Sequence, residues 1–374
     1  MQIFKQSAAL AALSLPFLTL VSAREVCEGN LVISAQEHLD IIGRDCRTIV
    51  GYLGFNQSYT GSFELRGVEN ITGAIAPTDY GKPFLERQLQ VTEVSLPDMK
   101  HIGELDFLLA AQLHNVSAPN LETAEMIWLS EVADGCVVDF PKLRELDYLT
   151  FRGNYSRLEV PELRNVTSNL RIEDVKITND GLLDVSLPSL ESTWLFNVTG
   201  QTTGVSALKL KTVGDSLTVT LHESPASLSL PALESVGSEL DINGAIASLD
   251  LGSLLNTEAT ITIDTATPLN ISLPLKSWPS FLGFFGAIEG LSLPNIEGFN
   301  RVRIESELPL DCAALDEFFE PIVANITDVK WEVQNRYSCN STAVNESGAY
   351  RPRIAGTAGA VPVAMAMVVG LLLW

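Results

Sequence analysis

Apolar positions along this chain recur with a long period and a short one. The long period is carried by the phrase Ser-Leu-Pro-x-Leu, seen at Ser95–Met99, Ser186–Leu190 and Ser229–Leu233, with looser copies at Ser272–Pro274 and Ser292–Ile296. More degenerate copies fall at Pro119–Leu121, Pro141–Leu143 and Pro161–Leu163. Pro97, Pro119, Pro141 and Pro161 are 22, 22 and 20 residues apart, and Pro188, Pro231 and Pro274 are 43 apart, two steps with a proline skipped each time. A fixed period in the twenties means one small unit stacked on copies of itself. The residue two after proline is apolar in every copy except Lys276. Beyond it come Ile102, Ala124, Leu146 and Val166, then Leu105, Ile127 and Leu149, then Phe107, Leu129 and Phe151. Pairs two residues apart are strand spacing, because alternate side chains of a strand face the same way. No copy carries a helical run.

Each repeat therefore reads as two or three short strands joined by turns. Equivalent strands of successive repeats would pair in parallel, about 4.8 Å apart. The expected fold is mainly β: a right-handed parallel β-helix or receptor L-domain-like solenoid of about 10–12 coils. A helix-bearing leucine-rich repeat is the alternative, but its Asn-x-Leu signature is absent. One coil cannot bury its own apolar face, so the fold depends on its neighbours.

The flanks divide the chain further. Residues 1–23 have Lys5, an apolar run from Ala8 to Val21, and Val21-Ser22-Ala23 at a cleavage position, the pattern of a secretory signal peptide. Residues 24–47 read as a cap, with Ser34 and Glu37 as a capping box for a helix from Ala35 to Ile42 ending at Gly43. Cys27 and Cys46 bracket this helix and are expected to pair. The solenoid spans 48–306, with the proline phrase missing near Leu210 and Leu251. Residues 307–339 mirror the start: Asp311 caps a helix over Ala313 to Phe319, Pro321 ends it, and Cys312 and Cys339 bracket it. The fifth cysteine, Cys136, is left as a buried free thiol beside Val137 and Val138.

After a short linker, 340–347, residues 348–374 complete a GPI-attachment signal. Ser347-Gly348-Ala349 are small, a ten-residue spacer comes next, and Ala360 to Trp374 is uncharged and apolar. The lipid is expected on Ser347, with Gly348 and Asn345 as the other candidates. Fifteen apolar residues fall short of the roughly 20 that span a bilayer as a helix. Asn-x-Ser/Thr sequons occur at Asn56, Asn70, Asn115, Asn154, Asn165, Asn197, Asn270, Asn325, Asn340 and Asn345, where chance would give about three. Together these signals place the chain in the secretory pathway, on the outer face of the plasma membrane, in the cell wall, or both.

In its order of motifs the chain resembles the fungal GPI-anchored cell-wall organisation proteins with receptor L-domain-like repeats, a group that includes sporulation-specific members. The resemblance rests on Cys27 with Cys46-Arg47-Thr48-Ile49-Val50-Gly51, the Leu-Pro-x-Leu series, and Val302-Arg303-Ile304-Glu305-Ser306 before Cys312 and Cys339. It implies a wall glycoprotein needed for wall integrity, without catalytic activity, a metal or another cofactor, whose partners are the membrane through its lipid and wall glucan or other glycans.

Candidate chemistry is sparse. Aligning the copies brings Glu125 and Asp147 to neighbouring coils, the best carboxylate pair for glycoside hydrolysis, with two solvated surface acids as the plainer reading. Lys100, Glu122, Arg144, Arg164, Glu191 and Glu234 share a position three after proline and suggest a ladder of surface ion pairs. The four histidines are scattered, and no nucleophile elbow, phosphate loop or zinc motif occurs. A formal net charge of −22 is unsuited to a nucleic-acid partner. Trp128, Trp194 and Trp278 are the aromatic candidates for contact with sugar faces, against a reading in which they pack between coils.

Overall fold

The computed structural model describes residues 24–56, 58–78, 88–176, 181–276, 278–325 and 336–342. The signal-peptide segment 1–23 and the segment 343–374 with Asn345, Ser347 and Gly348 lie outside them. The chain is mainly β, built as a parallel solenoid with about 12 turns over its two compact units. Unit 1 takes residues up to 151 with 157–161; unit 2 takes 152–156 and everything from 162.

In unit 1 the strand Arg24–Glu28 pairs in parallel with Cys46–Val50, and Ile49 is level with Ile71, Ile71 with Ile102, and Ile102 with Ala124. A second sheet runs through Thr60–Glu64, Gln90–Ser95, Asn115–Ser117 and Cys136–Asp139. Between the sheets, Phe55, Tyr59, Phe63 and Phe107 form a fully buried cluster with ring centroids 5.1–6.3 Å apart. The Tyr59 hydroxyl donates to the Ser62 carbonyl at 2.9 Å and lies 3.0 Å from Gln36 Oε1.

In unit 2 two inward columns run the length of the main sheet. One is Leu170, Phe196, Leu217, Leu240, Ile261, Leu282 and Val302; the other is Ile172, Val198, Val219, Ile242, Ile263, Phe284 and Ile304. Every member is buried. The residues between them point outward, so the period-2 alternation in the sequence has become one dry and one wet face.

The recurring phrase is a turn. In Leu96–Met99, Ala118–Leu121, Phe140–Leu143, Leu187–Leu190, Leu230–Leu233 and Leu293–Ile296, the fourth residue donates its N–H to the carbonyl of the first, at 3.1–3.3 Å. Proline occupies the second place, where its fixed φ suits a β-turn, and the first and fourth residues are buried. Where proline is missing, the same bond persists: Leu210 donates to Ala207 and Leu254 to Leu251, with Leu208 and Gly252 in the proline place. The Lys276 exception also has a cause. There the Lys276 N–H pairs with the Leu255 carbonyl of the preceding coil, Leu275 is buried instead, and Lys276 faces out.

Both capping segments differ from the sequence-based expectation. Helix α1 covers Gln36–Asp45; Ala35, not Ser34, is its N-cap, and no side chain caps it. The Ser34 N–H instead lies 3.4 Å from His38 Nδ1, so the capping box is not made. The helix runs through Gly43, because the bare Cα there admits the Arg66 carbonyl: a Cβ would sit 1.9 Å from that oxygen. Gln36 Nε2 donates to the Glu64 carbonyl at 2.6 Å, and its Oε1 accepts from the Glu64 N–H at 3.0 Å. The segment 24–47 is also not purely a lid, since Arg24–Glu28 and Leu31–Ile33 already form a coil.

Helix α2 covers Cys312–Asn325 and passes through Pro321 rather than ending there. Pro321 and Glu317, whose carbonyl loses its helical donor, both face solvent, so water can replace that bond. Asp311 does cap it, its Oδ1 accepting from the Ala314 N–H at 3.1 Å. After it, Tyr337–Ser341 adds a last parallel strand to Val302–Ser306. Disulfides join Cys27 to Cys46 and Cys312 to Cys339 with Cα separations of 5.6 and 5.7 Å, and Cys136 is a buried free thiol. Burial with no compensating charge pushes its pKa up to about 12, so the reactive thiolate is scarce at neutral pH.

Candidate functional site

The carboxylates singled out for hydrolysis lie on the outer face of unit 1. Arg144 N–H donates to the Glu122 carbonyl, which makes the strands bearing Glu125 and Asp147 neighbours, and both side chains are exposed. General-acid work needs a carboxyl held protonated by a dry pocket, and neither acid is enclosed. The apolar hollow lined by Leu31, Val32, Tyr52, Leu53, Ala76 and Pro77 holds no carboxylate, histidine or cysteine. No cluster of metal-ligating side chains occurs among the described residues.

Lys100 of the expected ladder makes an ion pair, but with Glu69, which lies outside that set. In unit 1 Glu69 receives Arg47 at 2.7 Å and Lys100 at 2.8 Å; the hydrogen bond from Lys100 and then that from Arg47 lower its pKa. In unit 2 the backbone stacks Arg164, Glu191, Lys211 and Glu234 on successive coils, yet no ion pair within 4 Å joins these side chains. Exposed pairs of this kind contribute little in any case.

Six of the expected sequon asparagines show where their amides go. Asn115, Asn197 and Asn270 donate Nδ2 to Glu93, Glu173 and Glu289 at 2.9, 2.8 and 3.0 Å. Asn70 donates to the Thr48 hydroxyl at 3.4 Å, and Asn165 accepts from Ser192 at 3.0 Å. Asn56 accepts from the Ser58 hydroxyl at 2.6 Å. Asn154 is half-buried and Asn340 exposed; the side chain of Asn325 lies outside the described residues.

The outer face of unit 2 is acidic and poorly compensated. Asp241 has its pKa raised, first by burial and then by Glu239 and Asp264, and among the described residues no cation pairs with it. A carboxyl whose folded pKa exceeds its unfolded one stabilises the fold only when protonated, and that contribution disappears as pH rises through the folded pKa. Asp241→Asn should therefore raise the melting temperature at pH 7 by the equivalent of a few tenths of a kcal/mol, with the gain vanishing below about pH 4. Melting curves at both pH values would check this; equal gains at both would refute it.

The aromatic candidates are where the structure adds most. Trp194 and Trp278 are 54% and 46% exposed, and each lies against a glycine of the next coil. A Cβ on Gly214 would meet Trp194 Cε3 at 2.4 Å; one on Gly298 would meet Trp278 Cε2 at 2.3 Å and Cζ2 at 2.5 Å. The rings thus pack on one side and remain open on the other, which joins the two sequence-based readings rather than choosing between them. The glycine seats were missed in the sequence, although each stands 20 residues after its tryptophan. Trp128 in unit 1 is 39% exposed, opposite Asp106 in the sheet register, and no glycine contact of this kind is seen for it among the described residues.

No protein-family model, no curated protein and no solved structure matches this chain. The class of protein is set by the fold: a disulfide-bonded parallel β-solenoid.

Proposed function

We propose that this chain is a GPI-anchored, N-glycosylated surface protein of the fungal cell wall, with an organising role and no catalytic one. One observation carries the reading: two disulfides and ten sequons stand between a leader-like and an anchor-like segment. Disulfides belong to oxidising compartments, and sequons are used only in the secretory pathway. The likeness to the wall-organisation family in the order of Cys27, Cys46, the Leu-Pro-x-Leu series, Cys312 and Cys339 supports the same assignment. A long outer sheet of Thr, Asn, Asp and Glu suits a hydrated matrix rather than a partner's apolar face.

The test is truncation. A chain lacking residues 348–374 should pass into the medium, while the full chain stays with membranes and is freed by a phosphatidylinositol-specific phospholipase or, once linked to the wall, by glucanase. Retention of the truncated chain in the membrane fraction would defeat the anchor. In a strain lacking the protein, Glu125→Gln with Asp147→Asn should restore wall resistance as fully as the original chain; failure by a folded double variant would defeat the non-catalytic reading.

A further inference from the structure

Backbone hydrogen bonds place Trp194 and Trp278 on one corner of unit 2. Asp215 N–H donates to the Trp194 carbonyl, Ser238 to Asp215, Thr260 to Ser238, and Ser280 to Glu258. The corner therefore reads, coil by coil, Trp194, Gly214, Gly237, Glu258 and then Trp278 with Pro279. Four coil steps separate the two indoles, about 19 Å at the spacing of neighbouring strands. Between them Gly214 lies under the Trp194 ring, Gly237 is bare, exposed backbone whose Cβ position would strike the Gly214 carbonyl, and Glu258 is an exposed side chain.

We infer that this corner binds a neutral, extended polysaccharide, whose sugar faces stack on Trp194 and Trp278 while the chain between them crosses Gly237 and passes Glu258. Three observations fix the ligand's chemistry. Each indole is seated on one side by a glycine and open on the other, which presents a flat apolar face to the C–H face of a sugar ring. The hydrogen-bonding groups beside this path are Asp215, Ser238, Glu239 and Glu258, acceptors suited to hydroxyl groups; Ser238 already donates to Asp215 at 2.6 Å. These acids outnumber Lys211 and Lys276, which disfavours an anionic polymer. The span between the rings calls for several sugar units rather than one. The inference deepens the wall-surface reading and rests on it for the polymer's presence, but binding in vitro is scored without regard to where a cell places the protein.

Affinity gels carrying a soluble β-linked glucan, a mannose polymer or a polyuronate would test it with the full chain. Retardation is expected from at least one neutral polymer and not from the polyuronate. Trp194→Ala with Trp278→Ala should weaken retardation about tenfold or more, while Trp128→Ala leaves it unchanged. Because the alanine variant also uncovers two glycines, Trp194→Phe with Trp278→Phe serves beside it. The phenylalanine variant should keep most of the binding but lose the shift in tryptophan emission that the polymer produces in the original chain. Retardation by neither neutral polymer, retardation by the polyuronate alone, undiminished binding by a natively melting alanine variant, or an emission spectrum unmoved by the polymer would each overturn the inference. None of these outcomes bears on whether truncation at 348 releases the protein.

Discussion

Leu240→Asp should unfold unit 2 at ambient temperature. Leu240 is level with Leu217 on one side and Ile261 on the other, and all three are buried. The substitution removes a leucine's apolar contacts, which alone costs about 2–5 kcal/mol, and adds a carboxyl with no partner, which costs several more. A domain has only about 5–15 kcal/mol in hand. In a stack the loss is not confined to one coil, because each neighbour also loses the surface it was packed against. Thr220→Asp, outward-facing on the adjacent strand, should shift stability by about 0.5 kcal/mol or less. Far-ultraviolet circular dichroism and a melting curve would separate the two; a cooperative, unshifted transition for Leu240→Asp would mean that this column is not the core.

Gly244→Ala should destabilise unit 2 by about 3 kcal/mol or more, and most of that should come from contact rather than from φ. Gly244 has φ +108°, and a Cβ there would lie 1.9 Å from the Leu221 carbonyl oxygen of the preceding coil. That oxygen is backbone and can retreat only by breaking the coil spacing. Gly181 offers the comparison within the same unit: its φ is +109°, yet a Cβ would meet nothing within 4 Å among the described residues. Gly181→Ala should therefore cost only the backbone strain, about 1–2 kcal/mol. Denaturant midpoints for the two variants would show the difference, and equal losses would mean that coil-to-coil approach is not what demands glycine at 244.

The solenoid was legible because its signal is repeated. Inward residues alternate, the period stays near 22, and each coil gives the same answer, so Leu210 and Leu251 could be placed even without their prolines. The ends were less legible because each occurs once. Ser34 and Glu37 spell a capping box, but tertiary contacts decided otherwise: Gln36 is held by the Glu64 backbone, and the helix starts one residue later than that pattern implies. Pro321 is a helix breaker by propensity, tolerated here because the affected turn faces water. The tryptophan corner was half legible. Trp194 and Trp278 stood out as aromatics, but the glycines that seat them are inconspicuous in a chain with 26 glycines until coil register is known. Their 20-residue offset is present in the sequence, but only the stacking of coils gives that offset a physical meaning.

Coil length varies in this molecule without disturbing the later coils. Most partners in register are 20–23 residues apart, but Ile71 and Ile102 differ by 31, Leu170 and Phe196 by 26, and Val302 and Tyr337 by 35. After each longer excursion the next strand returns to the same ladder position, because register is read against the coil beside it and not along the chain. The architecture thus separates two kinds of inheritance. The staves of the sheet are bound to one another, while the detours between them are free to lengthen, acquire sugar acceptors or be exchanged, so new surfaces can be grafted onto an old stack one detour at a time.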